Sequence, residues 1–161
     1  MKPLPNFPVG GGCQCGAVRY QLLAPPLGVY ACHCADCRRF SGTTHTLSMP
    51  IRKETLRHLA GALSFFDKTA GSGRVVRMVA CANCGNKLWN EPLSAPELII
   101  LKPGTLDDMS WAEPVGHIWT ASRVSWVEID AGQPGFAGQP PSREALYAAW
   151  DAAHEGHGDG R

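Results

Sequence analysis

The chain has 161 residues, 44% hydrophobic and 18% charged, with a net charge of +1. That suits one soluble domain with a real core and leaves no electrostatic footprint for nucleic acid or an anionic membrane surface. No apolar run approaches a membrane span, and the opening Met1 to Pro8 lacks the apolar region of a signal peptide. The expected setting is therefore a reducing cytoplasm, where clustered cysteines bind metal rather than form disulfides.

Eighteen glycines and 13 prolines point to many turns and short strands. Met1 to Gly12 reads as an extended arm ending in Gly10-Gly11-Gly12, with residues 1–10 set apart from a domain over 11–132. From Ala17 to Leu23, Val18, Tyr20 and Leu22 alternate with Ala17, Arg19 and Gln21, the period-two pattern of a strand. Val29 to Ala31 is a short strand, Ala35 to Ser41 a single helical turn closed by Gly42, and Thr43 to Met49 a strand ended by Pro50. Ile51 to Leu59 is ambiguous between helix and strand. Leu63 to Phe66 and Arg74 to Ala80 form two strands joined by a turn at Gly71-Ser72-Gly73. Lys87 to Trp89, the buried run Leu98 to Leu101, His117 to Thr120 and Arg123 to Ile129 complete the strands. Residues 133–161 differ. Gln133 to Pro141 is a Gly/Pro-rich linker, Ser142 an N-cap, Arg143 to His154 a helix docking through Leu146 and Trp150, and Glu155 to Arg161 a fraying tail.

The seven cysteines fall into three clusters: Cys13-Gln14-Cys15, Cys32-His33-Cys34-Ala35-Asp36-Cys37 and Cys81-Ala82-Asn83-Cys84. Seven thiols divide into one closed four-thiolate site and one three-thiolate site with a fourth position left for chemistry. A Cys-x-x-Cys turn lets two thiolates grip one zinc, and Gly85 supplies the positive φ such a turn needs. Residues i and i+2 of a strand face one side, so both sulfurs of Cys13 and Cys15 can reach one ion. Two pairings stand open on spacing. In one, Cys34 and Cys37 join Cys81 and Cys84 as in a ribbon, leaving Cys13, Cys15 and Cys32. Alternatively Cys13, Cys15, Cys81 and Cys84 form one set and Cys32, Cys34 and Cys37 the other, which local closure favours slightly.

The segments Gly11-Gly12-Cys13-Gln14-Cys15-Gly16-Ala17-Val18-Arg19-Tyr20, Cys32 to Gly42, Cys81 to Leu88 and Gly104-Thr105-Leu106-Asp107-Asp108, followed by His117, carry a resemblance. From about Gly11 to Ile129 the chain resembles the glutathione-dependent formaldehyde-activating enzymes, also called the centromere-protein-V domain family. The resemblance implies a mainly β, β-tent (Mss4-like) zinc-binding fold, here with a short C-terminal helix. It implies a structural zinc on Cys13, Cys15, Cys81 and Cys84, and a catalytic zinc on Cys32, Cys34 and Cys37, two per chain. It also implies a carbon–sulfur lyase reaction like that of S-(hydroxymethyl)glutathione synthase, with glutathione and a small aldehyde as partners. Met78-Val79-Ala80 before Cys81 is less aromatic than the family pattern, which bears on packing.

Arg38 and Arg39 are candidates to hold a carboxylate of glutathione, their simpler reading being solvated surface. His33, between two ligands, is expected to point away from the metal in a supporting role. His45 and His117 are strand residues that could donate a ligand or a proton. Asp107 and Asp108 read first as turn residues, and Trp89, Trp111, Trp119, Trp126 and Trp150 as core. Two other readings compete with the enzyme: a non-catalytic binding module with two structural zinc sites, and a redox protein using Cys34 and Cys37.

Overall fold

Where the sequence alternates, strands form. In a computed structural model that describes residues 1–155, β1 (Val9–Gly12), β2 (Arg19–Leu22) and β5 (Leu56–Ala60) make an antiparallel three-stranded sheet. The second sheet has eight strands. It contains β3 (Tyr30–Cys32), β4 (Thr46–Arg52), β6 (Leu63–Thr69), β7 (Val75–Cys81), β8 (Lys87–Pro92), β9 (Leu98–Leu101), β10 (His117–Ile118) and β11 (Gly135–Phe136). Their order is β11-β10-β3-β4-β9-β8-β7-β6. Among the described residues only the pairings of β10 with β3 and with β11 are parallel. The chain is mainly β with a C-terminal helix, as expected. Two α-helices stand among the described residues, α1 (Ala35–Ser41) and α2 (Glu144–His154). None among the described residues is long and apolar enough to cross a membrane.

Tyr20 and Leu22 of β2, Met49 and Ile51 of β4, Leu88 of β8 and Leu101 of β9 are fully buried in one core. α2 docks through Leu146 and Trp150, as its spacing foretold, but it begins at Glu144 with Arg143, not Ser142, in the cap position, and Ser142 Oγ accepts from the Glu144 N–H at 3.0 Å. Residues 156–161 lie outside the described part, so the expected tail, His157 included, is left there. His154 belongs to α2, its ring against Trp150.

Four further expectations change. Gly10 to Gly12, read as the end of an arm, pair with β2 in β1. Pro50 does not end its strand but sits inside β4, opposite Ile100. Its carbonyl accepts from Leu27 N–H at 2.9 Å. Because a residue's N and C=O point to the same side of a strand, the ring nitrogen faces away from β9 and breaks no bond there. Arg123 to Ile129 form turns instead of a strand. Val127 N–H donates to Val124 C=O at 3.0 Å, and Trp126 is 73% exposed rather than core. The Gly/Pro-rich stretch after Gln133 contributes β11 and is not merely a linker.

Candidate metal centres

Cys13 and Cys15 sit in the tight turn that links β1 to β2, with Gly16 at φ +77°. They are not on a strand, yet their sulfurs lie 3.4 Å apart. Cys81 ends β7 and Cys84 stands in the following turn, which Gly85 closes at φ +72° with its N–H on Cys81 C=O. The four sulfurs lie within 4.8 Å of one another, Cys15 being 3.9 Å from Cys81. Four sulfurs around a zinc at about 2.3 Å would stand roughly 3.8 Å apart, so the set fits the ion. Gln14 N–H donates to Asn86 Oδ1 at 2.9 Å and binds the two turns together. A metal here would join the small sheet to the large one.

The donors around Cys13 and Cys15 favour thiolates. Val18 N–H reaches Cys13 Sγ at 3.2 Å, and this contact draws the thiol's pKa down. The Asn83 side-chain amide lies 3.4 Å from Cys15 Sγ and, with a backbone donor at Ala17, draws that thiol down to about 6.

The second set forms at one junction. Cys32 ends β3, Cys34 caps α1 and Cys37 lies in its first turn, its N–H 3.3 Å from Cys34 Sγ. The three sulfurs lie within 4.8 Å of one another, and among the described residues no histidine or carboxylate joins them at that spacing. Thiol hydrogen bonds from Cys32 and Cys34 draw Cys37 far down, while Cys34 first and Cys37 next push Cys32 up. Three crowded thiols thus share little charge until a cation neutralises them, as zinc would. Asp36 fixes the helix from outside: its carboxylate pairs with Lys68 at 2.8 Å and accepts from Gly71 N–H at 3.1 Å.

A cavity of about 360 Å³ opens over this second set. Cys32, Cys34 and Cys37 line it, whereas none of Cys13, Cys15, Cys81 and Cys84 does. Its apolar wall includes Phe40, Val76, Met78, Ile118 and Trp119. Lys87 enters it with Nζ 3.5 Å from the Phe40 ring centroid. Burial draws its ammonium down to about 7, while the nearby Cys37 and Cys34 sulfurs favour its charge. Asn90, also in the wall, has Oδ1 buried without a hydrogen-bond partner among the described residues.

A family model described as "Glutathione-dependent formaldehyde-activating enzyme" matches residues 8–122. The chain belongs to that family. It is 28% identical over 153 residues, 91% of this chain and 98% of the relative, to a protein of Halomonas elongata named "Putative glutathione-dependent formaldehyde-activating enzyme". A crystal structure of a Rhodobacter sphaeroides protein is similar at 21% identity and TM-score 0.48, covering 79% of this chain and 98% of that one.

Of the residues singled out in this family member's sequence, the cysteines assemble as the second pairing, not the ribbon. His33 is fully buried and turned to His117, 2.9 Å away, with the His45 ring centroid 5.0 Å off. Asp108 caps a turn through Ser110 N–H, and Asp107 forms an exposed ion pair with Arg19. Arg38 is half-buried and Arg39 exposed on α1, and neither lines the cavity. Sequence reasoning passed over Tyr30, Lys87, Asn90 and Arg143, which do. They come from β3, β8 and the start of the C-terminal helix, so only the folded sheet brings them together. The one signal available was that Tyr30 stands two residues before Cys32, on the same face of a strand.

Proposed function

We propose that the chain is a zinc-dependent enzyme that makes and breaks a carbon–sulfur bond between a small thiol and a small aldehyde. The reaction is of the kind named for its family and its Halomonas relative, glutathione with formaldehyde. Cys13, Cys15, Cys81 and Cys84 would hold a structural zinc, and Cys32, Cys34 and Cys37 a catalytic one. The observation that carries this reading is the contrast between the sets: three thiols face a cavity, and four face none of it. A binding module with two closed metal sites would need a protein group as fourth donor at the three-thiol set.

A zinc held by Cys32, Cys34 and Cys37 would supply a fourth position that lowers the pKa of an entering thiol toward neutral. In the addition the thiol sulfur forms a bond to the carbonyl carbon, the C=O π pair moves to oxygen, and that oxygen takes up the proton lost by sulfur. Lys87, drawn down to about 7, is a cavity group able to exchange this proton. The apolar wall excludes water from the adduct, and Asp36 holds α1 and the β6–β7 turn in register over it. Free thiols persist in a reducing compartment, where this reaction belongs.

Exchange spectroscopy with ¹³C-formaldehyde and glutathione tests the reading. The zinc-loaded protein should accelerate adduct formation and Cys34→Ser should abolish the acceleration. If Cys34→Ser leaves the turnover of every thiol–aldehyde pair unchanged, the reading is wrong.

A further inference from the structure

We propose that Arg143 and Tyr30 form a carboxylate-binding site in the wall of the three-thiol cavity, so that the C-terminal segment selects thiols carrying an acid group. This rests on the thiol reading above for the ligand's other end. Arg143 lies beyond residues 8–122, which the family model matches, and stands at the N-terminal edge of α2. Leu146 and Trp150 bury that helix against the body, which gives the guanidinium a rigid base.

Arg143 Nε donates to Tyr30 Oη at 3.1 Å. That bond uses one of the guanidinium's five N–H groups. Tyr147 lies beside it, and among the described residues no carboxylate pairs with it. Tyr30 is 2% exposed, its hydroxyl buried beside the guanidinium. Since its oxygen accepts from Arg143, the hydroxyl hydrogen is left for another acceptor, and no group among the described residues takes it. Two unfilled donor groups therefore meet at one wall of the cavity.

The other cations of the cavity are less suited. Lys68 is already paired with Asp36, Arg74 is exposed to solvent, and Lys87 is held over the Phe40 ring. A half-buried guanidinium without a counter-charge is costly, and a carboxylate matches its fork with two parallel hydrogen bonds. Tyr30 and Cys32 are residues i and i+2 of β3, on one face and roughly 7 Å apart along the strand. A short thiol acid can span that distance.

Calorimetric titration of the zinc-loaded full chain with 3-mercaptopropionate and with 3-mercaptopropionamide tests the site. The wild type should bind the acid roughly ten- to a hundredfold more tightly than the amide, the range of a charge-assisted hydrogen bond. Arg143→Gln should erase that preference while leaving amide binding unchanged, and Arg143→Lys should restore part of it. A preference that survives Arg143→Gln overturns the proposal. If Arg143→Gln does not fold, Tyr30→Phe serves in its place, with a several-fold loss of acid preference expected and no loss overturning the proposal. If neither thiol binds the wild type, the thiol reading fails by itself and butanoate decides the site. Weaker butanoate binding by Arg143→Gln upholds the carboxylate site; equal or absent binding by both proteins removes it.

Discussion

His33 Nε2 and His117 Nδ1 share a 2.9 Å hydrogen bond between residues 84 apart in sequence. The chain continues: His117 Nε2 meets Gln133 Oε1 at 2.9 Å, and Gln133 Nε2 donates to Pro114 C=O at 3.1 Å. Gln133 therefore presents its oxygen, His117 donates from Nε2, and His33 donates from its own Nε2 to His117 Nδ1. The relay holds the backbone between Cys32 and Cys34, and His33 N–H adds a bond to Ile118 C=O at 3.0 Å.

Removing that support should loosen the three-thiol set before the four-thiol set. His117→Ala leaves the fully buried His33 ring without a partner, which costs about 1–3 kcal/mol. In the zinc-loaded variant, a colorimetric chelator should draw off one zinc per chain faster than from the wild type, with the second unaffected. Equal acceleration of both would show that the relay serves general stability.

Much of this was readable from the residues. The period-two run at Val18, Tyr20 and Leu22 and the glycine turn at Gly71 to Gly73 lead directly to β2 and to the β6–β7 hairpin. Cysteine ligand chemistry reduced the sets to two pairings. Spacing left both open and only the family resemblance implied one of them, because the grouping depends on contacts between turns more than 60 residues apart, such as Cys15 with Cys81. Arg123 to Ile129 misled because β-branched alternation makes a strand only beside a free edge, and here local turns hold the segment. The cavity wall was not legible either, since Tyr30, Lys87 and Arg143 converge only through sheet order and the docking of α2.

The two sets should differ in what they stabilise. Cys15→Ser opens the set that ties the β1–β2 turn to the β7–β8 turn, so the denaturant midpoint should fall sharply, structural zinc being folding free energy. Cys34→Ser leaves both sheets tied and should lower the midpoint much less. Equal losses would contradict the division of labour.

Alkali should reveal the burial of the tyrosines. All three have raised pKa values, Tyr20 and Tyr30 to about 12, with burial as the leading cause. In the unfolded chain a tyrosine ionises near 10. The tyrosine contribution to stability should therefore be constant below about pH 10, then fall by about 1.4 kcal/mol per pH unit for each such tyrosine up to the folded value. Tyrosinate absorbance should stay low at pH 10 and rise together with loss of the native circular dichroism. Reversible ionisation at pH 10 with the fold intact would contradict this environment.

Gly61 has no room for a side chain. Its φ is +92°, and a Cβ would meet Ala17 C=O and stand 2.6 Å from Val18 Cα. Gly61→Ala should cost about 2–4 kcal/mol through backbone strain and overpacking together. Gly42→Ala, at φ +68° with nothing within 4 Å, should cost only about 1–2 kcal/mol. Thermal unfolding of both variants tests the difference, and equal melting points would contradict it.

The most direct measurement is zinc K-edge absorption of the reduced, zinc-loaded protein before and after glutathione is added. Seven cysteine sulfurs over two ions give an average of about 3.5 sulfurs per zinc, rising toward about 4 when the thiol joins the Cys32, Cys34 and Cys37 centre. An average that glutathione does not change would contradict a zinc centre that receives a thiol.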